Sequence, residues 1–295
     1  MKCGFVSIVG RPNVGKSTLL NSILGMKLAI TSKVSGTTRN IINGIYNDDD
    51  SQIIFVDTPG IHKPNDKLGN LLNKKAYNQL DGVDIILFVV DISKGFGKGD
   101  QFILDRIKDA GIPIFLLLNK IDLVKNKEKL LGEIEQIREL YDFDEIIPIS
   151  AMKNDNKEVL LDCIKKKLPD MDKIYSEDEL TNVTTKFIMA EFVREKILEL
   201  THDEIPHTVT CYVENYEEDD KVVHIQVLIV VDRDNIKKIV IGKNGSLLKE
   251  VGTRARRDME EFLGKKVFLE TYVKTLKNWR DQEKYFVELG LKDDE

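Results

Sequence analysis

The residues with the clearest chemistry lie near the amino terminus, where the pattern G-x-x-x-x-G-K-S runs from Gly10 to Ser17. Backbone N–H groups at the start of a helix solvate phosphate oxygens, and glycines let that backbone come close to a ligand. The pattern therefore predicts a phosphate-binding loop, in which Lys16 reaches the outer phosphates and Ser17 binds Mg²⁺. A chance strand-to-helix turn is the alternative. The residues assigned to nucleotide binding here are Gly10, Arg11, Pro12, Asn13, Val14, Gly15, Lys16, Ser17 and Thr18.

A second group of chemical side chains follows the apolar run from Ile53 to Val56. Asp57, Thr58, Pro59 and Gly60 stand where a buried strand should end. An aspartate in this position holds Mg²⁺ through a water molecule in phosphate-binding proteins, and the Gly60 N–H is placed to contact the γ-phosphate. The same four residues also fit an ordinary turn, so the prediction depends on their position downstream of the phosphate-binding loop.

The polar segment from 33 to 40 lies between these two groups. A threonine in such a loop is a candidate for the second hydroxyl ligand of Mg²⁺, and we assign Thr38 with Thr37 as the alternative. Taken alone, the segment fits a plain solvated loop better.

Base recognition is predicted at Asn119, Lys120 and Asp122, which follow another apolar run. Guanine presents N1–H and an exocyclic amine, and one carboxylate accepts from both, whereas adenine offers no such donor pair. Asp122 is therefore the candidate guanine reader. We expect Asn119 to contact the base or bridge loops, and the Lys120 stem to pack over the ring. Ser150 and Ala151 form a later loop that supports the base with a backbone N–H.

The elements that position these residues alternate between apolar runs and amphipathic stretches, which predicts an α/β fold with a doubly wound, mostly parallel sheet. This domain spans 1–168. Residues 169–182 contain few apolar side chains and are predicted to be an interdomain linker. A smaller α+β domain spans 183–295.

The smaller domain contains a G-x-x-G turn, Gly242 to Gly245, that leads into a helix. Such a turn clamps single-stranded nucleic acid in KH domains, although glycine pairs also occur in ordinary turns. Between 233 and 280 there are 13 Lys or Arg and 6 Asp or Glu, in a chain of net charge −6. This local excess of positive charge favours a phosphate-rich ligand. The candidate RNA-binding residues are Gly242, Lys243, Asn244, Gly245, Ser246, Lys249, Arg254, Arg256 and Arg257.

The composition of the 295 residues, 42% hydrophobic and 32% charged, is typical of a globular protein with about two domains. Three widely spaced cysteines and four scattered histidines argue for a reducing cytoplasm and against structural zinc. Neither a signal peptide nor an apolar run of membrane-spanning length is present, so we expect no integral membrane protein.

Taken in order, G-R-P-N-V-G-K-S, T-T-R, D-T-P-G, N-K-I-D and I-S-A resemble the five signature motifs of translation-factor-type GTPases. The segment Gly36 to Arg39 is similar to the Era/TrmE branch. In the smaller domain the predicted order of helix, strand, strand, helical segment, G-x-x-G, helix and strand resembles a type II KH domain. With this domain included, nearly the whole chain resembles the bacterial Era family.

This resemblance implies a GTPase that converts GTP to GDP, binds the 3′ end of 16S rRNA and acts in 30S ribosomal subunit assembly. It implies a cytoplasmic monomer with peripheral association with the inner membrane. It also implies Mg²⁺ held by Ser17, Thr38 and, through water, Asp57, and K⁺ held by Asn13. The catalytic residues implied are Lys16, Thr38, Gly60 and Asn13.

One position departs from the pattern of many GTPases. Ile61 follows Gly60 where a glutamine often orients the attacking water, and an alkyl side chain cannot do so. We therefore expect slow intrinsic hydrolysis.

Two other functions were weighed against this one. A P-loop kinase or metabolic ATPase is disfavoured by the guanine-reading motif. A membrane-surface protein is disfavoured by acidic residues among the aromatic residues of 278–289, which fit packing on the KH sheet better.

Overall fold

A computed structural model of the chain describes residues 1–32, 37–61, 66–78, 82–202, 205–283, 285–286 and 291. The chain divides into two compact units. The first holds the described residues of 1–29, 38–63 and 71–182, and the second holds those of 30–37, 64–70 and 183–295. The α/β fold class predicted from the sequence is confirmed.

The first unit is built on a six-stranded sheet in the order β2-β3-β1-β4-β5-β6. Its strands are β1 (Lys2–Gly10), β2 (Ile42–Asn47), β3 (Ser51–Asp57), β4 (Ile85–Asp91), β5 (Ile114–Asn119) and β6 (Glu145–Pro148). The helices of this part of the chain are α1 (Lys16–Leu24), α2 (Lys67–Asn78), α3 (Lys98–Ile107), α4 (Lys127–Arg138) and α5 (Lys157–Lys167). The order of the strands places β1 at the centre, between β3 and β4.

The strands follow from the apolar runs in the sequence. Every residue of β3, β4 and β5 is buried, as expected for a sheet covered on both faces. Only β2 is antiparallel, to β3, while all other pairs are parallel. Because parallel strands share a direction, the ends of β1, β3, β4 and β5 meet at one edge of the sheet, and that edge carries the predicted nucleotide residues. Sequence inspection did not identify α2.

The segment 169–182, predicted to be an interdomain linker, pairs with the first unit instead of standing apart from it. The backbone N–H of Cys3 donates to Pro169 (3.2 Å), and that of Ile45 donates to Leu180 (2.9 Å). The buried side chain of Gln52 takes the place of a backbone acceptor: its Oε1 accepts from the N–H groups of Ile174 (2.8 Å) and Tyr175 (2.9 Å). Backbone pairing of this kind leaves no apolar signal in the sequence.

The second unit contains a three-stranded sheet in the order β7-β8-β9. Its strands are β7 (Val209–Glu218), β8 (Val222–Val231) and β9 (Lys266–Thr275), with β7 antiparallel and β9 parallel to β8. Its helices are α6 (Thr185–Leu200), the short α7 (Ile205–Thr208), α8 (Asp234–Ile241) and α9 (Ser246–Leu263). The order helix, strand, strand, helix, helix, strand is the type II KH arrangement expected from the sequence.

Two short segments from earlier in the chain, 30–37 and 64–70, also belong to the second unit as far as they are described. In the first segment, the N–H of Thr31 donates to Glu195 (2.9 Å), and the buried guanidinium of Arg194 donates to the carbonyl of Thr37. Arg194 is itself paired with Glu191 (2.6 Å). Residues 33–36 of the predicted polar loop lie outside the described residues.

Near the carboxyl terminus, Trp279 is fully buried and its indole N–H donates to the Thr208 carbonyl (2.9 Å). Residues 284 and 287–290 of the stretch considered for membrane binding lie outside the described residues. Within the part of the chain that is described, we find no helix of the length and apolarity needed to cross a membrane.

We expect Gln52→Leu to destabilise the first unit, because it leaves the N–H groups of Ile174 and Tyr175 without their acceptor. A loss of about 1–3 kcal/mol in unfolding free energy is the usual cost of unsatisfied buried donors. Denaturant unfolding measures this loss, and limited proteolysis should show earlier cleavage within 169–182. Gln101→Leu on α3 is the matched control, since that amide bonds only to Asp105 at the surface (3.1 Å). Equal effects of the two substitutions would show that the Gln52 bonds contribute nothing.

Candidate functional site

The predicted phosphate-binding loop connects the end of β1 to the start of α1. Gly15 precedes the helix with φ 103°, a conformation that side chains disfavour, and a Cβ there would lie 2.3 Å from Nδ2 of Asn119. The glycine therefore permits both the turn and the close approach of Asn119. The loop begins α1 with N–H groups directed away from the helix, which is the geometry of an anion site.

Lys16 is buried, with 6% of its surface exposed. Its ammonium donates to the carbonyls of Gly10 (3.1 Å) and Arg11 (3.0 Å). Burial lowers its pKa to about 8, although the nearby Asp57 carboxylate acts in the opposite direction. A buried charge is costly unless it is paired, so a polyanionic ligand that replaces the lost water would stabilise the Lys16 ammonium.

The predicted magnesium ligands lie together beside the loop. The Ser17 hydroxyl donates to Oδ2 of Asp57 (2.7 Å) and lies 3.0 Å from the hydroxyl of Thr38. Oδ1 of Asp57 is buried and has no hydrogen-bond partner among the described residues. Burial raises the pKa of Asp57 to about 6, although Lys16 and the two hydroxyls lower it. An unpartnered buried carboxylate oxygen between two hydroxyls fits a hard divalent cation, so these three residues suit Mg²⁺.

The predicted base-reading residues also hold the loops in place. Nδ2 of Asn119 donates to the Val14 carbonyl (2.7 Å), and its Oδ1 accepts from the N–H of Ala151 (3.0 Å). Asn119 therefore bridges two loops, the second of the two roles predicted for it. The Lys120 ammonium donates to the Asn13 carbonyl (2.7 Å).

Asp122 is exposed, and its Oδ1 accepts a hydrogen bond from the buried Ser150 hydroxyl (2.6 Å). This bond steadies the carboxylate, while its position at the surface leaves it accessible to a base.

Other predicted residues lie at the site in supporting positions. Gly60 lies against Pro12, since a Cβ at position 60 would be 2.9 Å from the Pro12 nitrogen. The Thr58 hydroxyl donates to the Ile8 carbonyl (2.9 Å) and is fully buried. Thr18 continues α1 after Ser17.

Arg11 and Ile61 point away from the ligand side of the loop. Nε of Arg11 pairs with the buried Asp100 of α3 (2.8 Å). The Ile61 side chain lies in the hydrophobic core with Val9 and Phe88, in agreement with the prediction that it does not orient water.

A cleft in the second unit is lined by three of the nine predicted nucleic-acid residues, Gly245, Lys249 and Arg256. Its volume is about 400 Å³. Its lining residues come from the G-x-x-G turn, one face of α9 and the strand β9: Gly245, Leu248, Lys249, Gly252, Thr253, Arg256, Leu269 and Thr271. The cleft lies between α9 and β9, the strand that runs parallel to β8. A parallel β9 could not be inferred from local pattern.

The basic residues predicted on α9 divide between two faces of the helix. Lys249 and Arg256 line the cleft, whereas Arg254 and Arg257 are not among its lining residues. Arg254 pairs with Glu250 (2.7 Å), and Arg256 pairs with Glu260 (3.2 Å). Sequence reasoning missed the apolar lining, Leu248 and Leu269. The helical spacing of Leu248 from Gly245 and Gly252, and the strand alternation of Leu269 with Thr271, would have identified them.

A family model described as a 50S ribosome-binding GTPase matches residues 5–120, and one described as a KH domain matches residues 204–280. A solved crystal structure of Era in complex with MgGDPNP and nucleotides 1506–1542 of 16S ribosomal RNA is 40% identical to this chain. The match covers 99% of each chain with a TM-score of 0.96. The chain belongs to the Era family of GTPases. A structure of an Aquifex aeolicus Era variant bound to GDP and AlF₄⁻ matches with the same identity, coverage and TM-score.

Membership of the Era family confirms the resemblance inferred from the motifs and makes the protein a GTPase with a KH domain. The contacts described above then acquire roles. The residues predicted for phosphate and Mg²⁺ binding lie together at the start of α1, and Asp122 lies at the surface with its carboxylate bonded to Ser150.

We expect Ser17→Ala and Thr38→Ala to separate nucleotide binding from switching. In the presence of Mg²⁺, Ser17→Ala should weaken the binding of both GDP and GTP about tenfold, which corresponds to about 1.4 kcal/mol. Thr38→Ala should leave GDP affinity within about twofold and slow hydrolysis, because a switch-loop hydroxyl joins only in the GTP state. Fluorescent-nucleotide titrations with and without EDTA measure both effects, and in EDTA the Ser17 variant should match the wild type. Equal losses of GDP and GTP affinity in the Thr38 variant would point to Thr37 instead.

Proposed function

We propose that this protein is a GTP-dependent switch that binds the single-stranded 3′ end of 16S rRNA and acts in assembly of the 30S ribosomal subunit. One observation carries the proposal: a complete guanine-nucleotide site and a KH cleft lie in one chain. That chain is 40% identical, over 99% of its length, to an Era crystallised with MgGDPNP and a 16S rRNA fragment.

The chemistry of the first site favours GTP over ATP. Asp122 presents a carboxylate at the surface, and that carboxylate is steadied from the protein side by the Ser150 hydroxyl. It complements the N1–H and the exocyclic amine of guanine, whereas adenine offers no such donor pair and would present the N1 lone pair to it. A metabolic ATPase or kinase is therefore disfavoured, and nucleotide competition with ATP tests this directly.

Hydrolysis at this site proceeds without a side chain to orient water at position 61, because Ile61 is in the core. Lys16 and the loop N–H groups stabilise charge on the phosphates, and Thr38 and Gly60 stand on the γ-phosphate side. Intrinsic turnover is therefore slow, as suits a switch whose partner completes the site.

The chemistry of the cleft favours unpaired RNA. Lys249 and Arg256 meet phosphates at one side, and Leu248 and Leu269 provide apolar surface for unstacked bases. Gly252 and Gly245 let the nucleic-acid backbone approach the helix. A duplex would hide the base edges and bind poorly.

The wider setting is proposed on the resemblance to the Era family. It includes a cytoplasmic, monomeric protein, contact with the 30S subunit and peripheral association with the inner membrane. Flotation with anionic liposomes tests the membrane association, and sedimentation with purified 30S subunits tests the ribosomal contact.

We expect Gly252→Asp to abolish RNA binding while GTP hydrolysis without RNA survives. The substitution places a carboxylate in the cleft, and a Cβ at this helical position meets no atom within 4 Å. Gly242 is a poorer choice, because a Cβ there would lie 2.8 Å from the Leu247 nitrogen. The measurement is a titration of a single-stranded oligonucleotide with the sequence of the 16S 3′ end, at two salt concentrations.

Gly132→Asp is the matched control, since Gly132 is also helical, in α4, and equally open. Lys249→Ala should lower the salt slope by about 0.7 for one lost phosphate contact. Unchanged binding by Gly252→Asp would remove the RNA site from this cleft.

We also propose that K⁺ assists hydrolysis beside Asn13, and we expect faster turnover in K⁺ than in Na⁺. Asn13 has φ 64°, so Asn13→Gly removes the amide side chain and keeps a backbone that favours this conformation. The variant should lose the K⁺ advantage, about tenfold or 1.4 kcal/mol of barrier. Asn154→Gly, at φ 60°, is the control. Identical wild-type rates in the two salts would contradict the proposal.

A further inference from the structure

A buried carboxylate that belongs to none of the five motifs lies next to the guanine-reading segment. Asp91 is the last residue of β4 and is 2% exposed. In the sheet it lies directly opposite Asn119 of β5, the first residue of the base-reading motif. Its place in the fold therefore brings an acidic group to the edge where the nucleotide site is built.

Asp91 is bonded on both oxygens. Oδ2 lies 2.7 Å from the ammonium of Lys120, and Oδ1 accepts from the Ser93 hydroxyl (2.5 Å). Burial alone would raise the pKa of Asp91, but the hydrogen bonds from Lys120 and Ser93 outweigh it and keep the pKa below its usual range. The group is an ionised carboxylate at neutral pH.

Lys120 is held from two sides by this arrangement. The same ammonium that contacts Asp91 donates to the carbonyl of Asn13, also at 2.7 Å. Lys120 itself has φ 68°, an unusual conformation for a lysine, which the surrounding bonds maintain. The ammonium is thus fixed at one end of a four-carbon stem whose other end belongs to the motif that reads the base.

A lysine without such a partner would lose this position readily. Its side chain carries large rotamer entropy, and its three donors are satisfied as well by water. Side-chain exposure of Lys120 is 27%, so solvent competes for the ammonium. A carboxylate at hydrogen-bond distance makes one position of the Lys120 ammonium the dominant one, where it would otherwise be only weakly preferred.

We propose that Asp91 is a positioning residue for guanine-nucleotide binding: it holds the Lys120 ammonium against the Asn13 carbonyl, so that the lysine stem lines the base site and joins it to the phosphate-binding loop. The inference rests on the GTP-binding part of the proposed function. Asp91 acts through Lys120 and touches no reacting atom.

The test is a double-mutant cycle of Asp91→Asn and Lys120→Met, with GDP dissociation followed by a fluorescent analogue. Asp91→Asn keeps the shape of the side chain and removes its charge, and we expect GDP release about tenfold faster than wild type. Lys120→Met keeps the stem and removes the ammonium. In that background Asp91→Asn should have no further effect, because the lysine through which it acts is gone.

The control is Asp105→Asn on α3, where an exposed carboxylate pairs with Lys108 at 3.0 Å. It should leave GDP release unchanged. Thermal unfolding of the nucleotide-free proteins separates positioning from general destabilisation. Additive effects of the two substitutions would overturn the inference, since Asp91 would then act independently of Lys120.

Measurements on the wild type distinguish failure of the proposed function from failure of the role of Asp91. If the wild type binds GDP no better than ADP, the proposed function fails. If it prefers GDP and Asp91→Asn releases GDP at the wild-type rate, only the role of Asp91 fails. Should Asp91→Asn not fold, Ser93→Ala provides the milder test: it removes the other bond to the carboxylate and should accelerate GDP release by a smaller factor, and an unchanged rate would count against the inference.

Discussion

A loop that directs its N–H groups outward to a ligand must direct its carbonyl oxygens inward, and those oxygens need donors. This constraint organises the first unit. The carbonyls of Gly10 and Arg11 accept from Lys16, that of Asn13 from Lys120, and that of Val14 from Asn119. The carbonyl of Gly15 accepts from the following helix, through the N–H of Leu19 (2.9 Å). Buried carbonyls without partners would cost more than the loop gains from its own turn.

The same constraint explains why the residues predicted to recognise the base also hold the loop. Asn119 and Lys120 lie at the end of β5, and β5 is separated from β1 by β4, so their side chains reach back across the sheet edge to the loop. Two hydrogen bonds, from Asn119 to the Val14 carbonyl and from Lys120 to the Asn13 carbonyl, therefore join the predicted base site to the phosphate-binding loop.

How much of this was predictable from the sequence depends on how far apart the interacting groups lie. The motif residues were identified because each motif is continuous and follows a buried strand, so Lys16, Asp57 and Asp122 fall where expected. Partners that lie on other elements were not identifiable: Gln52 for Ile174, Asp100 for Arg11, and Asp91 for Lys120. Each is one polar residue at a strand end or in a buried register, and its local sequence is indistinguishable from that of an ordinary strand or cap. Tertiary pairing, not propensity, decides these positions.

The cleft of the second unit shows the same limit. A count of charged residues in the sequence does not reveal which of them form ion pairs with one another. The count of Lys and Arg between 233 and 280 gave a local excess of positive charge, which favoured a phosphate-rich ligand. In the structure Arg254 is paired with Glu250, and Arg256, which reaches the cleft, also contacts Glu260. Glu250 and Glu260 are already among the six acidic residues counted, so these pairs do not reduce the local excess of positive charge. Within the cleft that charge comes from Lys249 and Arg256, and Leu248 and Leu269 add apolar surface to the same lining. A lining that is both cationic and apolar suits a ligand whose phosphates and base faces are accessible together, and in nucleic acids that combination is found in an unpaired strand.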